Sequence, residues 1–185
     1  MPSPIAHSVA GYLVTSHPTL KKHLPRQVLS IVPIAAFYSV VISNLPDLDF
    51  LPQIVTGLNF HRGPSHSLLA AILVSGLLAL MISYVRPRIQ FKMLFGITFG
   101  LYSAHLLMDM FTAGGKGIPL LWPLSAQFVR SPLPLFPAVH HSRGLWDSSH
   151  LIFIGVELLY TLILLVGIRL AKTRGSSSQV SVSSR

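Results

Sequence analysis

The stretch MLFGITFGLYSAHLLMDMF, residues 93–111, decides how this chain folds. It is about the length of helix that crosses a hydrocarbon core, yet its last two turns carry His105 and Asp109. Four residues apart on a helix, these side chains share one face, one turn above the other. An ionisable group held near lipid costs on the order of several kcal/mol unless something compensates it. For an imidazole and a carboxylate side by side, a bound cation is the usual compensation. The stretch therefore reads as a membrane helix that ends in metal ligands.

Working outward, three further apolar stretches of similar length lie at 28–44, 67–85 and 151–170. Pro33 falls in the opening turns of the first, where a helix tolerates it. The expected fold is all-α, a polytopic membrane helix bundle of about four spans. Residues 5–14 are apolar but too short to cross, and are expected to form an interfacial N-terminal helix. The embedded domain runs over 1–174, and the small, polar tail 175–185 is expected to be disordered. Between the last two stretches, 112–149 holds Gly114, Gly115 and Gly117, five prolines, and Trp122 and Trp146. That composition excludes one continuous helix, and the tryptophans favour the membrane–water boundary.

Composition agrees. Hydrophobic residues make up 51% and charged residues 10% of the 185, with a mean hydropathy of +0.61, so a soluble globule is not expected. The formal net charge of +9 raises nucleic acid as a partner, but its distribution argues against one. Lys21, Lys22 and Arg26, then Arg86, Arg88 and Lys92, then Arg169, Lys172 and Arg174 all flank apolar runs. Basic clusters at helix ends set membrane topology, whereas a nucleic-acid reader needs a basic stripe on a polar face. The partner is the lipid bilayer. There is no cysteine, so disulfides and thiolate ligands are excluded. The first basic cluster comes after the first apolar stretch, which is not the order of a secretory signal.

With the basic clusters on the cytoplasmic side, the first span delivers Asp47 and Asp49 to the outer face. The second span starts there, just after His61 and His66, and the third brings His105 and Asp109 to its outer end. Three separate groups thus meet at one membrane depth. Asp47 and Asp49 alternate around Leu48, so in extended backbone both carboxylates point the same way, and Pro46 discourages the preceding helix from continuing. His61 and His66 bracket Gly63 and Pro64, a turn expected to start the next helix with His66 in its first turn. Nitrogen and oxygen donors without sulfur suit a divalent transition metal, zinc foremost. Six ligands exceed what one zinc takes, which favours two ions over one.

Other polar residues have plainer readings. His17 and His23 are expected to be ordinary satisfied histidines. Arg62 would grip a phosphate oxygen or neutralise an aspartate, and Ser65 would orient a ligand or cap a helix. Glu157 is the sole acid of the last span, with His150 seven residues before it on the same face. It is either functional or a protonated structural group. His140 and His141 line an entrance or an exposed loop. The depth of His7, in the N-terminal helix, stays open on spacing alone.

Taken in order, His7, Pro46-Asp47-Leu48-Asp49, His61-Arg62-Gly63-Pro64-Ser65-His66-Ser67 and His105-Leu106-Leu107-Met108-Asp109 resemble the YdjM-like family, membrane-bound, metal-dependent hydrolases linked to LexA regulation. Thr112, Gly114 and the stretch from Pro119 to Pro123 continue the likeness, which covers residues 1 to about 125. The resemblance implies a multi-pass place in the cell inner membrane, hydrolytic activity, and a metal set of His7, Asp47, Asp49, His61, His66, His105 and Asp109. A weaker similarity is to the zinc-dependent phospholipase C and single-strand nuclease superfamily, whose ligand order Asp49, His61, His105 and Asp109 fit. That superfamily continues with His-x-x-x-Glu, which this chain lacks.

The expected function is hydrolysis at the outer membrane–water interface, with metal acidifying a water and polarising the scissile group. Asp47 or Asp49 would take the proton and Arg62 would hold the substrate, a phosphoester such as a lipid headgroup. The alternatives are a metal-ion transporter, whose ligands belong near the bilayer midplane, a metal-binding membrane protein without catalysis, and a structural protein with a metal-free polar network.

Overall fold

In the computed structural model the described residues are 4–16, 32–57, 62–113, 115–137 and 148–180. Among them every regular element is helical, and extended pairing is confined to two isolated bridges, Thr112 with Phe136 and Ile118 with Val129. The helices are α1 (Pro4–Ser16), α2 (Val32–Asn44), α3 (Phe50–Thr56), α4 (Leu68–Val85), α5 (Phe91–Met110) and α6 (Ser148–Val180), with short 3-10 turns at Leu45–Asp49 and Pro64–His66.

Helices α4 and α5 form an antiparallel hairpin closed by a turn in which Arg86 N–H caps Ile82 and Ile89 N–H bonds Arg86. Both are long and apolar enough to cross a membrane, with mean hydropathies of 2.5 and 1.3. At 1.5 Å per residue they reach about 27 and 30 Å, the thickness of a hydrocarbon core. On α4 the buried residues are small, with Ala71, Ser75 and Ala79 fully covered at successive turns. Leu73, Leu77, Leu80 and Met81 stand more than half exposed. Small residues let the backbones approach, and the large ones are left for lipid. Leu101, Tyr102 and Leu106 of α5 complete this core with Ile42 and Ile118.

Helix α2 packs on α5 and α1 packs on α2, α5 and α6. The α1–α2 approach is close because position 11 is glycine: a side chain there would collide with Ser43 Oγ and the Ser39 carbonyl. Asn44 Nδ2 also donates to Ser8 Oγ across this contact at 2.9 Å. Thus α1, apolar but only 13 residues long, is held against the bundle and carries His7 inward.

Among the described residues two helices qualify as spans, and the apolar part of α6, Ile154–Gly167, is shorter. The first expected span, 28–44, is described only from Val32, and the basic cluster at 21–26 lies outside the described residues. Helix α6 runs on to Val180, so residues 175–180 of the expected disordered tail are helical.

Candidate metal centre

Asn44 ends α2, and Pro46 enters the 3-10 turn Leu45–Asp49 at its start. The backbone at Asp47 and Asp49 is therefore tightly coiled rather than extended, because this proline-opened turn runs straight into α3. The second turn, Pro64–His66, also begins on proline, and α4 starts only after it. Ser67 caps α4 by accepting from Ala70 N–H at 3.1 Å, worth about 1 kcal/mol at such a cap. His66 consequently precedes α4 instead of lying in its first turn.

These turns and the end of α5 converge on four side chains, Asp47, His66, His105 and Asp109. His66 Nε2 lies 3.3 Å from His105 Nε2, 3.5 Å from Asp47 Oδ1 and 3.3 Å from Asp109 Oδ2. His105 Nε2 lies 3.5 Å from Asp47 Oδ1 and 4.0 Å from Asp109 Oδ2. The remaining edge is within 4.8 Å. Four ligands at about 2.0–2.1 Å from a tetrahedral cation stand about 3.4 Å apart. The quartet is thus close to the size of such a shell.

The outer hydrogen bonds settle which nitrogen faces inward. His105 Nδ1 lies 2.7 Å from the Ser43 carbonyl, which can only accept, so Nδ1 carries the proton and Nε2 presents a lone pair. Ser65 Oγ donates to Asp49 Oδ2 at 2.7 Å and is left to accept from His66 Nδ1 at 3.0 Å. Asp49 Oδ2 is itself 3.1 Å from the same Nδ1. Both imidazoles therefore aim Nε2 at the centre, each held from behind by an oxygen, the usual arrangement of metal-bound histidine.

A cation accounts for what hydrogen bonding does not. Among the described residues, both oxygens of Asp109, Oδ1 of Asp47 and both ring nitrogens of His7 are buried without a hydrogen-bond partner, and Asp109 and His7 are at most 1% exposed. Buried polar groups are ordinarily paired, so these residues fit a metal. Without one, burial would push the His66 imidazole down, but contacts with Asp109, Asp47 and Asp49 carry it up to about 10. His7 is the opposite case: burial, then the neighbouring His105, push it down to about 3. It is thus neutral and suited to donate a lone pair.

His7 stacks on His105, with ring centroids 3.8 Å apart, and its Nε2 is 3.8 Å from Asp109 Oδ1. It borders the quartet without belonging to it. Asp49 stands behind His66, on the opposite ring nitrogen from Asp47. Arg62 Nε lies 3.3 Å from Asp109 Oδ2, close enough for charge attraction but not aligned as a hydrogen bond. Arg62 also adopts a left-handed backbone, φ 59°. For a non-glycine residue this costs about 1–3 kcal/mol and persists where the surroundings demand it.

Glu157 is buried in α6 and is not one of the four. His17, His23, His61, His140 and His141 lie outside the described residues, as does the side chain of His150. Two supports had little or no sequence signal. The Ser43 carbonyl had none. Tyr102, whose hydroxyl donates to the Ser65 carbonyl at 2.7 Å, was visible only as a polar group one turn before His105.

The comparisons with known proteins agree with a membrane setting. The family profile described as YdjM inner membrane protein matches residues 1–182. Inner membrane protein YbcI of Escherichia coli (strain K12) is 37% identical over 108 residues, 55% of this chain. The match spans 61% of that relative's length. No solved structure matches.

Proposed function

The chain belongs to the YdjM inner membrane protein family, and we propose that it is a membrane-bound, metal-dependent hydrolase acting on phosphoesters at the membrane–water boundary. The observation that carries this reading is Asp109. Its carboxylate is fully buried, has no hydrogen bond on either oxygen among the described residues, and stands 3.3 and 4.0 Å from the Nε2 atoms of His66 and His105. A cation set among these atoms would satisfy all of them together.

Position supports surface chemistry over transport. His105 and Asp109 occupy the last two turns of α5, and His66 lies just before α4. Since α4 and α5 are antiparallel, all three sit at one end of the hairpin, away from its middle. The opposite end carries Arg86, Arg88 and Lys92, which favours a cytoplasmic location for it and an outer one for the site. We read α2 and α6 as further spans beside this hairpin, four in all.

A divalent cation, zinc foremost, would polarise the scissile group and acidify a water when bound. His66, His105, Asp109 and Asp47 would hold it, with Asp47, the one partly exposed corner, giving way to the water. Asp47 keeps 15% of its side chain exposed, so it can also accept a proton from water at the rim. Asp49, occupied by Ser65, Gly63 N–H and His66, fixes the direction of His66. Arg62 balances Asp109 and offers its remaining N–H donors to a phosphate oxygen. His7 and Asp109 Oδ1 together offer a place for a second ion.

The test is elemental analysis of detergent-purified protein together with turnover of phosphoesters in mixed bilayers, comparing wild type with Asp109→Ala. Metal present in the wild type and absent in the variant, with metal-dependent release of phosphate-bearing headgroups, is the expected result. A fully loaded protein without turnover of any phosphoester tried overturns the phosphoesterase reading.

A further inference from the structure

Residues 115–137 form a non-helical lobe on the same end of the hairpin as the quartet. It is tied to both spans by backbone bonds: Leu68 N–H to the Leu120 carbonyl at 2.9 Å, and Ser131 N–H to the Met110 carbonyl at 2.8 Å. Within it, Ile118 and Val129 exchange N–H···O bonds of 3.0 and 2.8 Å. Gly117, at φ 89°, permits that pairing, since a side chain there would run into the Val129 carbonyl. One face of the lobe, Ile118 and Phe136, is buried on the helices.

Other apolar side chains of the lobe are open. Leu121, Trp122, Leu124, Phe128, Leu133 and Leu135 are 40–93% exposed. Leucines exposed on α4 are ordinary for a spanning helix, but this segment is irregular backbone and cannot enter the hydrocarbon deeply. Its attachment to the ends of two spans sets it at a membrane surface, the depth at which tryptophan and apolar tips beside basic residues are stable. From Met110 to Trp146 there is no acidic residue, whereas Lys116 and Arg130 lie within the lobe. Arg130 Nη1 reaches the Gly115 carbonyl at 3.4 Å. On the metal side of the same glycine, a methyl group would stand only 3.3 Å from Arg62 Nη1. Two guanidinium groups therefore flank Gly115, one beside Asp109 and one on the exposed lobe.

We propose that this lobe seats its apolar tips in one leaflet and passes the phosphate of an adjacent phospholipid from Arg130 to Arg62, so that the site takes its ligand laterally from the bilayer. The proposal rests on the phosphoesterase reading for any chemistry after binding, but not for the seating or the binding itself. Arg130 meets the headgroup first because it is exposed. Arg62 holds it beside the quartet, and the acyl chains stay among the leucines.

Because the chain has no cysteine, Leu124→Cys and Leu133→Cys can each carry a single nitroxide in vesicles of phosphatidylglycerol and phosphatidylcholine in equal parts. Both labels are expected to be relaxed more by lipid-soluble oxygen than by an aqueous nickel chelate, with Lys116→Cys showing the reverse. Labels at 124 and 133 that behave as aqueous overturn the proposal, even if the protein hydrolyses phosphoesters. In the same protein, phosphatidylglycerol retained through detergent exchange should fall about five-fold in Arg130→Ala, the loss of one basic contact at an anionic surface, with metal content unchanged. Retention unaffected by that variant overturns lateral capture, and retention abolished by millimolar inorganic phosphate overturns it and assigns the arginines to soluble phosphate. Labels in the leaflet and retained lipid without turnover would leave this proposal standing and remove the hydrolase.

Discussion

His66 Nε2 and His105 Nε2 face each other at 3.3 Å, and in each ring the other nitrogen is already held by an oxygen. Two lone pairs at that distance repel unless a positive charge lies between them. Two carboxylates at the same point, Asp47 and Asp109, make the need for a cation greater still. A metal ion or a proton can fill the gap, and the competition between them gives two expected outcomes.

Purified protein should carry at least one transition-metal ion per chain. His66→Ala and Asp109→Ala should each remove it, since each takes away one of the four ligands. Asp49→Asn should retain the ion but bind it about 10- to 100-fold more weakly, the usual effect of loosening a group behind a ligating histidine. Chelator competition measures this. His7→Ala separates one ion from two, because it should leave the quartet loaded and remove only metal beyond one per chain.

Metal binding should release a proton. Without a cation, the carboxylates around His66 hold its imidazole up at about 10, so it is protonated at neutral pH. A metal needs the neutral ring. Affinity should therefore rise with pH through the neutral range, about ten-fold per unit for one displaced proton, and level off near the pKa of His66. Calorimetric titrations in buffers of different ionisation enthalpy count the proton directly, and a pH-independent affinity would remove this picture of the metal-free site.

What was legible in the sequence was what depends on local period and on helix ends. The i, i+4 spacing already puts His105 and Asp109 on one face, and antiparallel helices bring residues 66 and 105–109 to one end. The direction of the two aspartates was not legible. Period-two reasoning assumes extended backbone, whereas Pro46 opens a 3-10 turn that sends Asp47 and Asp49 to opposite nitrogens of His66. The depth of His7 depends on the close passage of α1 over α2 at Gly11, a tertiary contact without local signature. The Ser43 carbonyl is a backbone group, which no residue type marks.

Topology has its own test. The loop bearing Arg86, Arg88 and Lys92 should face the cytoplasm and the lobe should face outward. A cysteine placed by Lys116→Cys should react with a membrane-impermeant reagent in intact cells. Position 116 is preferable to 115, where φ is 71° and a side chain would crowd Arg62. A reporter fused after Arg174 should behave as cytoplasmic. The inverse pattern would keep the chemistry but expose the site to the other leaflet.

Arg62 discriminates between holding a substrate and holding the fold. Its Nε is 3.3 Å from Asp109 Oδ2, so one role is to balance that carboxylate. A lysine keeps the charge and could serve there, but lacks the planar fork that grips two phosphate oxygens at once. If Arg62 binds phosphate, Arg62→Lys should lower turnover by an order of magnitude or more, about 1.4 kcal/mol of barrier per ten-fold, with metal content and melting temperature close to wild type. Arg62→Ala should lower turnover further and also destabilise the protein, because Asp109 then loses its nearest fixed cation. A purely structural role predicts a nearly silent Arg62→Lys, with the loss confined to Arg62→Ala. Measuring turnover, bound metal and melting temperature on both variants decides between them, since the phosphate role moves turnover alone in the conservative variant.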